Sequence, residues 1–539
     1  MSIKAESAWA PRGWPAERAS AAPGPDGRVE AYCYTDRFSY APGERVDLHV
    51  HATAATYDVA VIRDGLQPER VWARSGLPGA AHPTPENAYA VGCGWPVALS
   101  IEIGADWHSG FYLVVIGAEQ PDGERWEREH FFVVRSAAPG RDTPYALVVT
   151  TSTLLAYNDW GGANHYRGIG DDPREEISTP LSHLHRPISR GHLRKPAGAP
   201  REGNRDNPPI GFTPRYPAYE WARLHGYGRH HADAGWATYE RPFVVWGEQH
   251  GYSFDLLTQH DLDERPDALD GYRCAVIVGH DEYWSWKMRD TLDAFVDGGG
   301  NVARFAGNYE WQVRLEEGGT RQACYRLPKL DPVAAETPHL ATTLWEAKCV
   351  DRPGATTMGL NGSGGIYNRY GAATPRSSGG FTVYRHDHGA FEGADLFYGD
   401  VLGALPVGLA AFEVDSVEFT FHRGMPYPTY EDGAPENLEI LALCPAVLGE
   451  VDRWGGSAPL GANMEEFTAT IAGLGDDAPE RLVDRVTGAG MIACFQRGGT
   501  VFNGGTTEWV VGLTMADPFT ERITHNVLRR LGAHEDAGA

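Results

Sequence analysis

Basic residues are scarce against acids in this chain, 47 Lys and Arg to 72 Asp and Glu, and the formal charge of −25 repels the phosphates of nucleic acid and of anionic membranes. Nucleic-acid and membrane partners are therefore not expected. Long apolar runs are lacking too: no segment is long enough to cross a bilayer, and the stretch MSIKAESAWAPRGWPAERASAAPGPDG has no signal-peptide core, so a cytoplasmic protein is expected. The seven cysteines, at 33, 93, 274, 324, 349, 444 and 494, include no CxxC pair, which argues against the common zinc and dithiol sites and for reduced structural thiols. Also missing are a GxSxG elbow, a GxxxxGK phosphate loop, a GxGxxG turn after a strand, an HExxH pair and any internal repeat. Acid, base and metal chemistry remain.

What is present is an ordinary globular composition, 42% apolar and 22% charged over 539 residues, with room for two or more domains. Residues 1–29, rich in Ala, Pro and Gly, read as an irregular arm. From 30 to 136 the pattern is all-β: Val46, Leu48 and Val50 alternate with polar neighbours, Tyr57, Val59 and Val61 repeat that period, and Phe111–Ile116 and Phe131–Val134 supply further strands. An immunoglobulin-like β-sandwich is expected there. Beyond a polar linker at 137–144, apolar strands at Tyr145–Thr150, 273–279 and Asn301–Phe305 alternate with helical periodicity, including a helix over 284–297 stopped by Gly298-Gly299-Gly300 and a closing helix over Ile523–Leu531. This predicts a doubly wound parallel α/β sheet in a second domain spanning 145–535, with β-rich insertions between about 340 and 510. A long stretch from about 187 to 241, rich in Pro, Gly, Arg, His and Tyr, interrupts the pattern and is long enough to cover a site.

Three polar clusters follow predicted strands: Ala156-Tyr-Asn-Asp-Trp-Gly-Gly162, Gly279-His-Asp-Glu-Tyr-Trp284 and Gly307-Asn-Tyr-Glu-Trp311. The carboxyl ends of neighbouring parallel strands share one edge, so all three can face a single pocket. His280 and Glu282, spaced by one residue, suit a proton carrier and a ligand, whereas Asp281 reads equally well as a cap on the helix that follows.

These clusters, with GYRCAVIVGHDEYWSWKMRDTLDAFVDGGGNVARFAGNYEW and GGTVFNGGTTEWVVGL, carry a resemblance to the large (beta) subunit of N,N-dimethylformamidase and its relatives, extending with gaps from about residue 30 to 535. The resemblance implies a β-sandwich followed by a glutamine-amidotransferase-like domain, and an amidohydrolase with one ferric ion held by two tyrosine phenolates and a glutamate. Carried over residue by residue, Tyr157 and Glu282 match metal ligands, His280 a catalytic histidine and Asn308 a polar residue lining the pocket. Glu413, in Ala411-Phe-Glu-Val-Asp415, matches a catalytic glutamate, although a buried ion pair is an equal reading of that residue. Two departures stand out. The second tyrosine is not placed, with Tyr216, Tyr219, Tyr227 and Tyr239 as candidates in the insertion, and His386-Asp-His-Gly-Ala-Phe391 replaces an H-W-A-F pattern in the expected pocket wall. Iron is thus the implied cofactor and a small amide the implied substrate; known enzymes of this type pair with a small subunit, and neither that pairing nor homo-oligomerisation is decided by the sequence. The competing reading is a non-catalytic carbohydrate- or ligand-binding protein, with 16 tryptophans for stacking.

Overall fold

The alternating stretch near the start folds as two strands, Arg45–Ala52 and Thr56–Asp64, whose alternating residues Val46, Leu48, Val50, Tyr57, Val59 and Val61 enter one core. They belong to opposing sheets. Arg45–Ala52 lies between Ala31–Thr35 and Val97–Glu102, while Thr56–Asp64 lies in a five-stranded sheet with Glu69–Pro78, Gly110–Glu119, Arg125–Val134 and Ser39–Tyr40. Val46, Leu48 and Val50 of the first meet Val59, Val61, Val114 and Phe132 of the second in a shared core, which makes a two-sheet β-sandwich. The computed structural model describes residues 16–166, 179–201, 217–368, 378–447, 464–485 and 487–533. Half of the expected arm, residues 1–15, lies outside these, and residues 16–29 form no regular element.

Strand Gly110–Glu119 is buried on both faces, which accounts for its unbroken apolar run. Its Phe111 and Leu113 and the neighbouring Phe131 and Val133 turn away from the sandwich core towards the α/β portion, where Phe111 stacks on Trp236 with ring centroids 4.0 Å apart. Sandwich and α/β layers therefore share one apolar boundary.

The α/β portion is built on a nine-stranded sheet. Five strands run parallel in the spatial order Asp255–Thr258, Tyr145–Val149, Cys274–His280, Asn301–Gly307, Thr500–Asn503. In chain order that is 2-1-3-4-5, a doubly wound arrangement whose switch point falls between Tyr145–Val149 and Cys274–His280. Antiparallel strands Thr487–Gln496, Glu439–Val447, Phe381–Val383 and Val401–Leu402 extend the far side. Alternate residues of the parallel strands enter two separate cores: Leu147, Val276 and Phe305 pack with Phe243, Trp509 and Ile523, and Val148, Ile277 and Val302 pack with Leu262, Met288 and Leu292. Both faces are covered, so these strands are continuous apolar segments rather than alternating ones. The result is a mixed α/β protein rich in sheet.

Helix Trp286–Asp297 begins later than the acids of the His280–Glu282 motif. Ser285 is its N-cap, its hydroxyl accepting the Met288 N–H at 3.1 Å, so of the two readings of Asp281 the cap is not the one observed. The closing helix, Pro518–Gly532, is longer than its apolar periodicity suggests because Asp517 caps it and Pro518 opens it. Among the described residues no helix is long and apolar enough to cross a membrane.

Burial holds several histidines neutral: it lowers His130, His165, His192 and His260 to about 4 and His183 and His231 to about 3. A group with a depressed folded pKa binds protons more readily when unfolded, so it supports the fold above pH of about 6.5 and that support is lost as pH falls towards the folded value. The urea midpoint is expected to fall steadily between pH 7 and pH 5, and a flat or rising midpoint over that range would contradict the assignment.

Candidate active site

The three polar clusters converge beyond the carboxyl ends of the parallel strands, beside the switch point. Strand Tyr145–Val149 runs directly into helix Thr151–Tyr157, whose last residue is Tyr157. Strand Cys274–His280 ends on His280, followed by Asp281, Glu282 and the short strand Tyr283–Ser285. The turn between His280 and the insertion is tight: Gly279 has φ 82°, and a Cβ there would lie 2.2 Å from Cβ of Tyr239.

Glu282 is the hub. It is 2% exposed and accepts hydrogen bonds from the Tyr157 hydroxyl at 2.8 Å, the Tyr166 hydroxyl at 2.5 Å and the Trp311 indole N–H at 2.9 Å. The two phenol rings stack at 4.5 Å, and the Tyr283 hydroxyl donates to that of Tyr166 at 2.6 Å. The guanidinium of Arg326 lies 4.5 Å from the centre of the Tyr166 ring. Burial opposes charge on Glu282, but its histidine and phenol donors outweigh burial and hold the carboxyl below its usual range.

His280 is fully buried and held from both sides. Its Nδ1–H donates to the backbone carbonyl of Asp233 at 2.6 Å, which turns Nε2 towards Glu413 at 2.8 Å, Glu282 at 3.3 Å and the Asn308 side-chain amide at 3.3 Å. Burial would lower the imidazole pKa, yet the Glu413 and Glu282 carboxylates drive it well above the ordinary histidine value. Glu413 is raised, first by burial and then by repulsion from Glu282 and Asp233, with His280 offsetting part of this. The two groups are close enough, at 2.8 Å, to titrate as a pair.

Asn308 and Phe412 both adopt φ 64°, a conformation that asparagine tolerates and that is costly for phenylalanine, and Phe412 directly precedes Glu413. Asn308 is held there by its backbone N–H, which donates to Asp415 Oδ1 at 2.6 Å. Asp415 and Asp281 in turn grip Arg304, at 2.6 Å from Nη1 and at 2.8 and 2.5 Å from Nε and Nη2. Asp281 is thus a buried ion-pair residue.

All five sequence-predicted site residues, Tyr157, His280, Glu282, Asn308 and Glu413, are brought into this one cluster. The residues missed are Tyr166, Asp233 and His230, whose Nδ1 meets the Asp233 carboxylate at 2.6 Å and whose ring lies 5.4 Å from that of Tyr157. Of the tyrosines considered for the second phenol, Tyr216 and the Tyr219 side chain lie outside the described residues, Tyr227 packs on Trp221 and Arg190, and Tyr239 packs behind His280. Tyr166 is the phenol that reaches Glu282. The only signal for it in the sequence is its place nine residues after Tyr157, linked by Asn164, whose side chain donates to the Tyr157 carbonyl and accepts from the Tyr166 N–H, both at 2.8 Å. The His386–Phe391 segment lines a surface cavity of about 470 Å³ with Phe397 and Arg530, against the closing helix.

Among the described residues no group of three or more His, Cys, Asp or Glu side chains is arranged to hold a metal ion. A hard cation has a different set available: the oxygens of Tyr157, Tyr166 and Glu282, already drawn together. Burial and the Glu282 charge hold the Tyr157 phenol well above its ordinary pKa, so its ionised form needs a strongly charged partner. On donor chemistry the residues fit the implied ion.

This geometry defines an α/β protein with a buried acid–base site lined by oxygen donors. The chain belongs to the family described as N,N-dimethylformamidase beta subunit-like, C-terminal, whose model matches residues 57–524. It is 23% identical over 315 residues to an N,N-dimethylformamidase beta subunit from Alcaligenes sp, covering 56% of this chain and 37% of that protein. It is 27% identical over 152 residues to the corresponding subunit from Paracoccus aminophilus, covering 28% and 18%. The matched stretches thus span well under two thirds of these relatives. Among solved structures, the sporulation control protein Spo0M from Bacillus subtilis aligns with a TM-score of 0.15 and 13% identity over 22% of this chain and 53% of its own, too small a likeness to bear on the fold.

Replacing Tyr157 or Tyr166 by Phe removes a donor from the buried Glu282 carboxylate. Each change is expected to lower unfolding free energy by about 1–3 kcal/mol, read from urea titration. Unchanged stability in both variants would contradict the hydrogen bonds described.

Proposed function

We propose that this protein is a metal-dependent hydrolase of a small linear amide, N,N-dimethylformamidase-like, with iron as its cofactor. The observation that carries the reading is the convergence of Tyr157, Tyr166 and Glu282 beside the His280–Glu413 pair. The ion would be held by those three oxygens, and when bound it supplies Lewis acidity that polarises the amide carbonyl and acidifies water. The protein's own part is proton handling. Glu413, a buried carboxylate with a raised pKa, takes a proton from the attacking water. His280, kept protonated at Nε2 by its two carboxylate neighbours, delivers a proton to the departing amine. The Asn308 side-chain amide, 3.3 Å from Nε2, is placed to donate to the oxygen that gains negative charge. Burial of the whole cluster excludes bulk water and strengthens each of these interactions.

A glutamine-amidotransferase-like descent of the α/β layers, an immunoglobulin-like sandwich and a cytoplasmic setting with reduced thiols belong to the same proposal. The family membership and the names of its relatives support the amide as substrate class. The binding-protein alternative needs an exposed tryptophan face. Among the described residues the largest fully buried side chains include Trp160, Trp236, Trp284, Trp345 and Trp509, and no tryptophan stands among the strongly exposed large apolar side chains.

The test is hydrolysis of formamide, N-methylformamide and N,N-dimethylformamide by iron-supplemented protein, with Glu413→Gln and His280→Ala as controls. The wild type is expected to release amine from at least one of them, and each variant to lose about 10²–10⁴-fold in kcat. Turnover unaffected by either substitution would exclude the assigned roles.

A further inference from the structure

Arg304 takes no part in the chemistry proposed above, yet it is a fully buried charge in the middle of strand Asn301–Gly307. Its guanidinium makes four directed contacts. Nε and Nη2 donate to the two oxygens of Asp281 at 2.8 and 2.5 Å, and Nη1 donates to Asp415 Oδ2 at 2.6 Å and to Asn503 Oδ1 at 2.9 Å. The other oxygen of Asp415 accepts the backbone N–H of Asn308 at 2.6 Å and of Tyr309 at 3.2 Å. The remaining amide of Asn503 donates to the Met358 carbonyl at 3.0 Å.

We propose that Arg304 is a positioning residue that fixes His280, Glu282, Asn308 and Glu413 relative to one another. The inference rests on the hydrolytic reading of the site. Asp281 stands between His280 and Glu282 in the chain, Glu413 is two residues before Asp415, and Asn308 hangs directly from the Asp415 carboxylate. Three chain segments that carry reactive groups are therefore tied to one planar, rigid fork. Stability alone does not call for such an arrangement, since a buried ion triad is commonly no more stable than an apolar replacement of similar volume. Direction is what an apolar cluster cannot supply. Lysine cannot supply it either, because a single ammonium cannot engage Asp281 through two parallel bonds while reaching Asp415. The backbone of Asn308, in the left-handed region that asparagine tolerates, is fixed by the same carboxylate through its N–H.

The test compares Arg304→Lys with the charge-free combination Arg304→Met, Asp281→Asn, Asp415→Asn, using N,N-dimethylformamide turnover, urea unfolding and the side-chain ¹⁵N NMR signals of His280. Both variants are expected to lose about a hundredfold in kcat with little change in KM, the cost typical of misplaced reacting groups, and to shift the His280 signals while those of His339 and His525 stay in place. Asp415→Asn alone keeps an oxygen acceptor for the Asn308 N–H and is expected to retain more activity than Asp415→Leu. If the charge-free variant folds and keeps the wild-type kcat, Arg304 is structural only and the proposal falls. If the wild type turns over no amide, the hydrolytic reading fails instead. The NMR signals then decide the positioning role, with unchanged His280 resonances in folded Arg304→Lys overturning it.

Discussion

A carboxylate buried to 2% exposure is costly unless every lone pair is met, and Glu282 imposes that requirement on the whole molecule. Its donors come from three separate parts of the chain. Tyr157 and Tyr166 arrive from the helix after strand Tyr145–Val149 and the loop beyond it, Trp311 from the segment after strand Asn301–Gly307, and His280 from two residues upstream. None of these residues satisfies Glu282 unless the parallel strands stand in the observed order. The polar site and the apolar sheet are thus mutually dependent: the sheet sets the strand ends, and the charge at the strand ends requires them to meet.

The doubly wound order explains why they can meet. At a switch point, the chain leaves adjacent strands towards opposite faces, opening a crevice that the connections cannot fill. Here the strand ends bring Tyr157 together with His280 and Glu282, and Asp233 and Tyr239 of the insertion pack against His280 and Gly279. Asp233 joins two histidines there, its backbone carbonyl accepting from His280 and its carboxylate meeting His230. Tyr239 packs against Gly279, where any side chain would collide with it. A long, pattern-free stretch of sequence therefore contributes directly to the orientation of a catalytic candidate.

Legibility in the sequence followed how local each signal was. The parallel strands were readable because both faces are buried, giving runs such as Cys274–Val278 with no polar interruption, and helix Trp286–Asp297 because its apolar residues recur at helical spacing and a glycine triplet follows. The same pattern puts the three polar clusters after strands, whereas the roles of Tyr157, His280, Glu282, Asn308 and Glu413 come from the family resemblance. Tyr166, Asp233 and His230 were not readable, because their placement depends on contacts distant in sequence rather than on any period. The cap is an equal reading of Asp281 in the sequence because an acid before a helix has that simple local explanation, whereas its actual partner, Arg304, is 23 residues away on the neighbouring strand. Arg304 itself sits in an otherwise apolar strand, and a charge in such a place is the trace that sequence offers of a buried ion pair.

On the proposed function, Tyr157, Tyr166 and Glu282 together form one hard-cation site. Its most direct measurement is the iron content and visible spectrum of the purified protein beside those of Tyr157→Phe, Tyr166→Phe and Glu282→Ala. The expected result is near-stoichiometric iron with a phenolate-to-iron charge-transfer band in the wild type, with the band weakened by either tyrosine change and the metal lost on removal of Glu282. Bound iron that is indifferent to all three substitutions, or protein that takes up no metal when iron is supplied, would contradict such a site.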